Sequence, residues 1–496
     1  MGINISMTAG GFNPGAGVND GMLSRVANMI SEYERDALHK AETAAYPPDP
    51  SYVGGAGGTA SMGPLQTQSI QGTLNDVGFR ERHLWLWRRL EKVSVAKSLI
   101  HEATLVKAKG SDAIDPFFAE GGINGFSEAE FERIVVQLKF MSENIEVPDT
   151  AAVLSGGLDG GASLLETRTK LGVKQLLGRI ERWLIEGDAS VSALQFNGFR
   201  SSIMGGGGLV VDLEGEAPTS EDIEDVVGEL QSDGRFALDL EAFTDSRVKR
   251  VLTTLDAAAG RYPKDRGGAA VKSYIGGPQE LALTTEYGDA PVYTMPLISM
   301  PSNFPTTSVG GGAPNVGAVS GTPTVNSTVT GSRFRAGDVG EYDYRFVAVG
   351  DRGTAGAISV NGVVITAAGD APTFVFNDSA ISGTKNTSGM LRYWRVYRTE
   401  KDGTEFDYIG QFARGTAGVS NTSWTDLNHR RPFRKPIYIG EFSSEVLYFS
   451  QLMEAIRRPL GQTSASIPFM IYMMGALFFK QPQKWAIIDN CATKAA

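Results

Sequence analysis

The chain changes its residue pattern twice, and those two changes constrain its fold more than any single motif does. After Gly310–Gly312 and Ala313–Pro314, residues 314–433 become a run of short alternating segments separated by turn residues. Tyr342, Tyr344 and Phe346 alternate with Asp343 and Arg345, and Phe374 and Phe376 repeat the spacing. That two-residue period belongs to strands that bury one face, and strand-sized runs at this density predict an all-β sandwich. Beyond Pro436 a mixed α/β pattern resumes, so the β block interrupts a parent domain instead of following it. Val446, Phe449, Leu452, Met453 and Ile456 fall at helical spacing and predict an amphipathic helix, with the apolar strand Ile467–Phe479 after it.

The part of the parent domain ahead of the β block is led by one long helix. Ser163 and Glu166 form a capping box, and Leu165, Val173, Leu176, Leu177, Ile180 and Leu184 supply an apolar stripe. Gly187 is placed to end this helix in the left-handed conformation. At roughly 1.5 Å per residue the element is about 36 Å long, the length of a spine. Two further helices follow in an α/β stretch. One carries Ile223, Val226, Val227 and Leu230 behind Thr219 or Ser220, and the other carries Val248, Val251, Leu252 and Leu255 behind Asp245. Upstream, Ile134–Met141 alternates as a strand. A strand ending near Lys109 and another starting near Phe131 frame the excursion Gly110–Glu130, which predicts an extended two-stranded flap. Residues 1–72 read as an arm, with one amphipathic stretch, Met22–Ala45, between segments rich in Gly, Pro and Ser.

Chemistry is sparse. The only cysteine is Cys491, which excludes an intrachain disulfide, and His39, His83, His101 and His429 are too scattered for a His-based metal centre or general base. There is no Walker-type phosphate loop, no His-Glu-x-x-His helix, no Cys-x-x-Cys pair and no Gly-x-Ser-x-Gly elbow. Ser94–Lys97 fits a Ser-x-x-Lys pattern without its companion motifs. The acidic group Glu214, Glu216, Glu221, Asp222, Glu224 and Asp225 reads as a solvated helix start, where carboxylates favour the positive end of the dipole. No catalytic residue, cofactor or metal site is therefore expected. The formal net charge of −10 disfavours a DNA-gripping protein, because phosphate affinity comes from Lys and Arg, but it suits one that encloses DNA. Met1–Pro14 has no secretory pattern and Ile467–Phe479 is too short to span a bilayer, so the reading is a soluble, cytoplasmically made product with no membrane partner.

The basic-aromatic run Arg80–Lys109 is the feature that most invites a functional role. Trp85 and Trp87 with Arg88 and Arg89 match a stacking platform for nucleic acid, yet Leu84, Leu86, Leu90, Glu81 and Glu91 interleave them. A subunit interface rich in Trp and Arg fits better. Trp85, Trp87, Arg88, Arg89, Lys107 and Lys139 are the expected assembly residues.

The order of segments resembles the major capsid proteins of tailed double-stranded DNA bacteriophages, the Hong Kong 97-type fold. The phrases that carry the resemblance are Gln195-Phe196-Asn197-Gly198-Phe199-Arg200 and Thr284-Thr285-Glu286-Tyr287-Gly288 before Pro291–Ile298. With them goes the passage from Ile439-Gly440-Glu441-Phe442 through Leu460 to Trp485. The resemblance implies an α+β chain with an N-terminal arm (1–72), an extended loop reaching over a neighbour (73–155) and peripheral and axial domains (156–313). These domains would be completed by residues 434–496. Residues 314–433 are similar to a fibronectin type III or immunoglobulin-like module, on Gly340–Val349, Tyr393–Arg398 and Trp424-Thr425-Asp426. The function implied is a shell subunit that self-assembles as hexamers and pentamers around packaged DNA in the host cytoplasm. Scaffold, portal and possible decoration proteins would be its partners. Some members of the family crosslink through lysines, and Lys107, Lys109 or Lys139 would be the residues here. The alternative is a tail or adhesin protein that binds host carbohydrate through its β module.

Overall fold

The computed structural model describes residues 83–94, 98–108, 117, 129–149, 164–232, 234–258, 281–285, 288–309, 313–314, 323–351, 353–377, 391–415, 421–462 and 465–493. The expected arm helix, Ser163 and Lys109 lie outside these residues. The chain divides into two compact units, one holding residues 141–176 and 453–474, the other 83–140, 177–452 and 475–496.

In chain order the first elements are α1 (Trp85–Arg89), β1 (Lys92–Ser94), β2 (Ile100–Ala108), β3 (Glu130–Gln137) and β4 (Lys139–Pro148). Next come α2 (Leu164–Glu186), α3 (Phe199–Gly205), β5 (Leu209–Asp212), α4 (Ser220–Gln231), β6 (Leu240–Thr244), α5 (Ser246–Ala258), β7 (Leu281–Thr285) and β8 (Gly288–Thr294). The β block holds β9 (Thr324–Asn326), β10 (Gly340–Gly350), β11 (Ile358–Ile365), β12 (Ala371–Phe376), β13 (Leu391–Thr399), β14 (Phe406–Ala413) and β15 (Thr422–Thr425). The chain closes with β16 (Lys435–Glu441), β17 (Leu447–Pro459), β18 (Ser466–Phe479) and β19 (Trp485–Cys491).

In the smaller unit, β17, β18 and β4 lie side by side in that order. Gly172 of α2 is there because space demands it: a Cβ would stand 2.1 Å from Ile145 Cδ1 and 2.8 Å from Ile471 Cδ1. Arg457 and Arg458 cover the rings of Phe469 and Tyr472 at 4.5 and 5.0 Å.

The larger unit contains the parent sheet, in the order β5-β19-β16-β6-β8-β7. β16 is antiparallel to both β19 and β6, so strands from beyond the β block sit inside a sheet begun before it. The interruption read from the sequence is thereby a property of the sheet itself. Ile223, Val226, Val227 and Leu230 of α4 and Val248 and Leu252 of α5 share one core with Ala242, Val292, Ile437, Ile439 and Ile488. α4 starts on a full capping box, Thr219 Oγ1 accepting from Asp222 N at 3.2 Å while Asp222 Oδ2 accepts from Thr219 N at 2.9 Å.

The β block forms two sheets, β11-β10-β13-β14 and β15-β12-β9. Between them Tyr344, Phe346, Phe374, Phe376, Trp394 and Phe412 make an aromatic core, with Phe346 4.9 Å from Phe374 and Phe376 4.6 Å from Trp394. Fully buried Arg398 pairs with Asp426, which also accepts from Tyr344 Oη at 2.9 Å.

Two expectations are corrected. Residues 447–459 are strand β17, not a helix. Leu447, Tyr448, Phe449 and Ser450 are buried in succession, as in a strand covered on both faces, and β17 pairs with β1 in parallel at Lys92↔Phe449. Gly187 does not take the left-handed conformation. It is required by close packing, since a Cβ would lie 2.5 Å from Phe196 O and 2.6 Å from Trp183 O.

The same crowding explains the phrase Gln195–Arg200. Gln195 and Asn197 accept from Asp188 N and Ala189 N at 3.1 and 2.9 Å, closing the turn after α2. Phe199 is fully buried, and Arg200 pairs with Asp489 of β19. A Cβ on Gly198 would stand 2.7, 2.8 and 2.9 Å from Leu184 O, Ile185 O and Gly187 N, all backbone atoms. Gly198→Ala is expected to cost about 1–3 kcal/mol by forced repacking. A fall in the midpoint of thermal unfolding is the readout, and an unchanged midpoint would refute it.

Candidate assembly surface

The run His83–Leu90 is shaped by burial. Leu84, Leu86, Trp87 and Leu90 are all at most 3% exposed. α1 is too short to satisfy its own first amides, and Glu181 of α2 does it from across the fold. Its two carboxylate oxygens accept from Leu86 N at 2.8 Å and Trp87 N at 2.7 Å. Burial pushes the Glu181 carboxyl up to about 7, with the Trp87 and Leu86 amides and the Lys92 ammonium pulling the other way.

Each expected interface residue can now be placed. Trp87 packs edge-on against Phe449 at 4.9 Å, with the Lys92 ammonium 5.1 Å from its ring centroid, inside its own subunit's core. Its ring is therefore not available to a neighbour. Trp85 is stacked on Tyr293 at 4.9 Å and stands edge-on to Phe442 at 5.5 Å. Arg89 makes a forked ion pair with Glu241, at 3.0 and 2.6 Å, and lies over the Phe442 ring at 5.3 Å. The hydrogen bonds to Glu241 raise the Arg89 pKa further above its ordinary value. Arg88 and Arg89 are both exposed to solvent. Lys107 falls at an irregularity in the β2–β3 register, between Val106 and Ala108. Lys139 donates to Gln137 Oε1 at 2.8 Å and Ala193 O at 2.7 Å, and burial lowers its pKa. Leu84, Leu86, Trp87 and Leu90 are thus an internal anchor, while Arg88 and Arg89 stay at the surface.

Next in chain order comes the antiparallel ribbon β2–β3. In its register Glu102 faces Val135, Thr104 faces Arg133 and Val106 faces Phe131, so these side chains share one face with Ile100. On that face Ile100, Val106, Phe131 and Val135 are each at least 50% exposed, with the Glu102–Arg133 ion pair at 3.3 Å among them.

Among the described residues no group of three or more His, Cys, Asp or Glu is arranged to hold a metal ion. Of the acidic group, Asp222 is used in the α4 cap and Glu214 pairs with Arg335. No helix among the described residues is long and apolar enough to cross a membrane.

The β block is docked. Trp183 at the end of α2 stands edge-on to Tyr393 at 6.2 Å. Arg430 makes a buried two-bonded pair with Glu186 at 2.7 and 2.6 Å, and Gln411 donates to Glu186 O at 3.0 Å. Met300 and Phe304 join Tyr397, Tyr408 and Phe406 in a second apolar cluster.

A protein provisionally named as the major capsid protein of Enterococcus phage phiEF24C is 28% identical over 171 residues, 34% of this chain and 36% of that protein. The major capsid protein of Staphylococcus phage K is 28% identical over 118 residues, 23% of this chain and 26% of its own length. The chain resembles phage major capsid proteins. It matches about a third or less of the length of these relatives. No family model matches it. Among solved structures, the capsid of a native GTA particle aligns over 87% of this chain and 98% of its own, at 10% identity and a TM-score of 0.45.

Proposed function

We propose that the chain is the structural subunit of an icosahedral bacteriophage head, built on a Hong Kong 97-type fold and self-assembling around packaged double-stranded DNA. The observation that carries this reading is the ribbon face of Ile100, Val106, Phe131 and Val135, left exposed on a chain similar to major capsid proteins. Four large apolar side chains exposed on one face of a slender ribbon are costly in water and gain by being covered, which a neighbouring copy does at every repeat of a shell. Residues 73–155 would be the extended loop, 156–313 with 434–496 the peripheral and axial domains, and 314–433 an outward immunoglobulin-like insertion. The copies would gather as hexamers and pentamers, with scaffold, portal and possible decoration proteins as partners in the host cytoplasm. The acidic charge suits enclosure of DNA without adhesion. No observation favours the carbohydrate-binding alternative, since the aromatics of the β block lie in its core.

Negative-stain electron microscopy of the chain co-expressed with its scaffold tests the reading. Closed polyhedral shells are expected. Phe131→Asp with Val135→Asp should abolish shells while leaving the thermal midpoint of the free subunit within a degree or two, because neither side chain is in the core. Small discrete oligomers from the parent chain, or shells from the double variant, would defeat it.

A further inference from the structure

An asparagine followed by glycine is the pair in which the side-chain amide is least shielded from the next backbone nitrogen, because glycine has no Cβ. The chain contains three such pairs, at Asn124, Asn197 and Asn361. The first lies outside the described residues. At the second, Gly198 N donates to the Gly187 carbonyl at 2.8 Å, and Gly198 is buried and crowded by backbone. The third is built differently. The register of β10 and β11 slips between Tyr342↔Val363 and Tyr344↔Val360, so Asn361 and Gly362 together oppose Asp343 as a bulge. Gly362 takes a φ of 72° there, and both residues are exposed. Tyr342 and Tyr344 point into the aromatic core, which turns Asp343 and Arg345 to the outer face beside the bulge. Asp343 Oδ1 accepts from Gly362 N at 2.9 Å, and Arg345 Nη1 donates to Asn361 Oδ1 at 2.6 Å. Arg345 is fixed in turn by a 2.9 Å bond to Tyr344 O and by packing over the Phe406 ring, 4.4 Å from its centroid.

We propose that this bulge is a self-modification site, at which Asn361 passes through a cyclic imide to aspartate and isoaspartate. The Gly362 nitrogen is the nucleophile and Asn361 Cγ the electrophile, and the two belong to adjacent residues, so rotation of the Asn361 side chain brings them together. The Asp343 carboxylate, already bonded to the Gly362 N–H, receives its proton as the new N–C bond forms. The Arg345 guanidinium, already bonded to Asn361 Oδ1, stabilises the negative charge that develops on that oxygen. The Cγ–Nδ2 bond then breaks, Asp343 returns the proton to the leaving nitrogen, and ammonia departs. Water opens the imide at either carbonyl. One opening gives aspartate, and the other gives isoaspartate, with the main chain routed through the former side chain. The reaction consumes only water and needs no oxidant or cofactor. Its product places a new carboxylate within reach of Arg345. At Asn197 the corresponding glycine nitrogen faces a backbone carbonyl, which is no base, so the same dipeptide is not equipped for the reaction there.

The test is incubation of the full chain at neutral pH, followed by peptide mapping with mass spectrometry that separates aspartate from isoaspartate. Asn361 should convert faster than Asn197 in the same folded chain, and faster than Asn361 itself in the chain unfolded by denaturant. Asp343→Ala and Arg345→Met should each slow the conversion by about tenfold or more. Glu341→Ala is the control. Its carboxylate lies close to the bulge, 3.4 Å from where a Gly362 Cβ would stand, but does not hold the amide, so the rate should be kept. The comparison of folded with unfolded parent needs no variant, and so decides the matter even where a substitution impairs folding. Conversion of Asn361 no faster when folded than when unfolded overturns the proposal, because the two bonds would then be holding the amide still. So does a rate that both Asp343→Ala and Arg345→Met leave unchanged, or one that Glu341→Ala lowers as much as they do.

Discussion

Glu186→Ala is expected to lower stability by about 3–5 kcal/mol, the cost of leaving the buried Arg430 guanidinium without its partner. The pair is well sealed, with side-chain exposures of 5% and 8%, and its two bonds of 2.7 and 2.6 Å use both oxygens and both terminal nitrogens. Its position gives the loss a structural consequence. Glu186 is the last residue of α2, and Arg430 lies in the segment that returns from the β block to β16. The pair therefore ties the interrupted sheet's re-entry point to the end of the long helix. Calorimetry of the parent, Glu186→Ala, Arg430→Met and the double variant Glu186→Ala/Arg430→Met measures it. The double variant should lose less than the sum of the singles, because an apolar pair leaves no orphan charge. Additive losses, or a Glu186→Ala penalty under about 1 kcal/mol, would mean that the pair is a bystander.

Much of this architecture was legible because it is local. The α4 cap is spelled by Thr219 and Asp222, the β block by aromatic alternation, and the ribbon by a strand ending near Lys109 and another starting near Phe131, either side of a long excursion. The discontinuity of the parent domain could be read because the pattern before residue 314 returns after residue 436. What was misread depends on contacts distant in sequence. Val446, Phe449, Leu452, Met453 and Ile456 do fall at helical spacing, but a strand covered on both faces places apolar residues at every position, so spacing alone cannot separate the two. Pairing with β1, more than three hundred residues upstream, decides for the strand. The Trp85–Arg89 run looked like surface because tryptophan and arginine are shared by interfaces and anchors. The interleaved Leu84, Leu86 and Leu90 pointed inward, but the carboxylate that makes the anchor possible, Glu181, lies 95 residues from Leu86 and shows no sequence signature of that role.

Glu181 also gives the anchor a dependence on pH of unusual sign. A carboxyl held at about 7 in the folded chain and at its ordinary 4.5 when unfolded keeps a proton that the unfolded chain has already released between those values. Its contribution to stability is therefore fully present below about 4.5, falls as pH rises towards 7, and is gone above it. The gap is worth about 3 kcal/mol. Asp489 and Asp407 have pKa values held down and lose stability only in stronger acid, whereas lowered His101 and His429 act in the same interval with the opposite sign. Comparison with Glu181→Gln cancels those histidines. Glutamine cannot titrate, accepts from one α1 amide only, and turns an N–H against the other, at a cost of about 1–3 kcal/mol. At pH 8 that loss is offset by removing a buried charge, so parent and variant should unfold at nearly the same temperature. At pH 5 the parent should be the more stable by several degrees. A difference between the two that stays constant from pH 5 to pH 8 would show that Glu181 does not titrate in this interval. The anchor would then rest on a permanently ionised carboxylate.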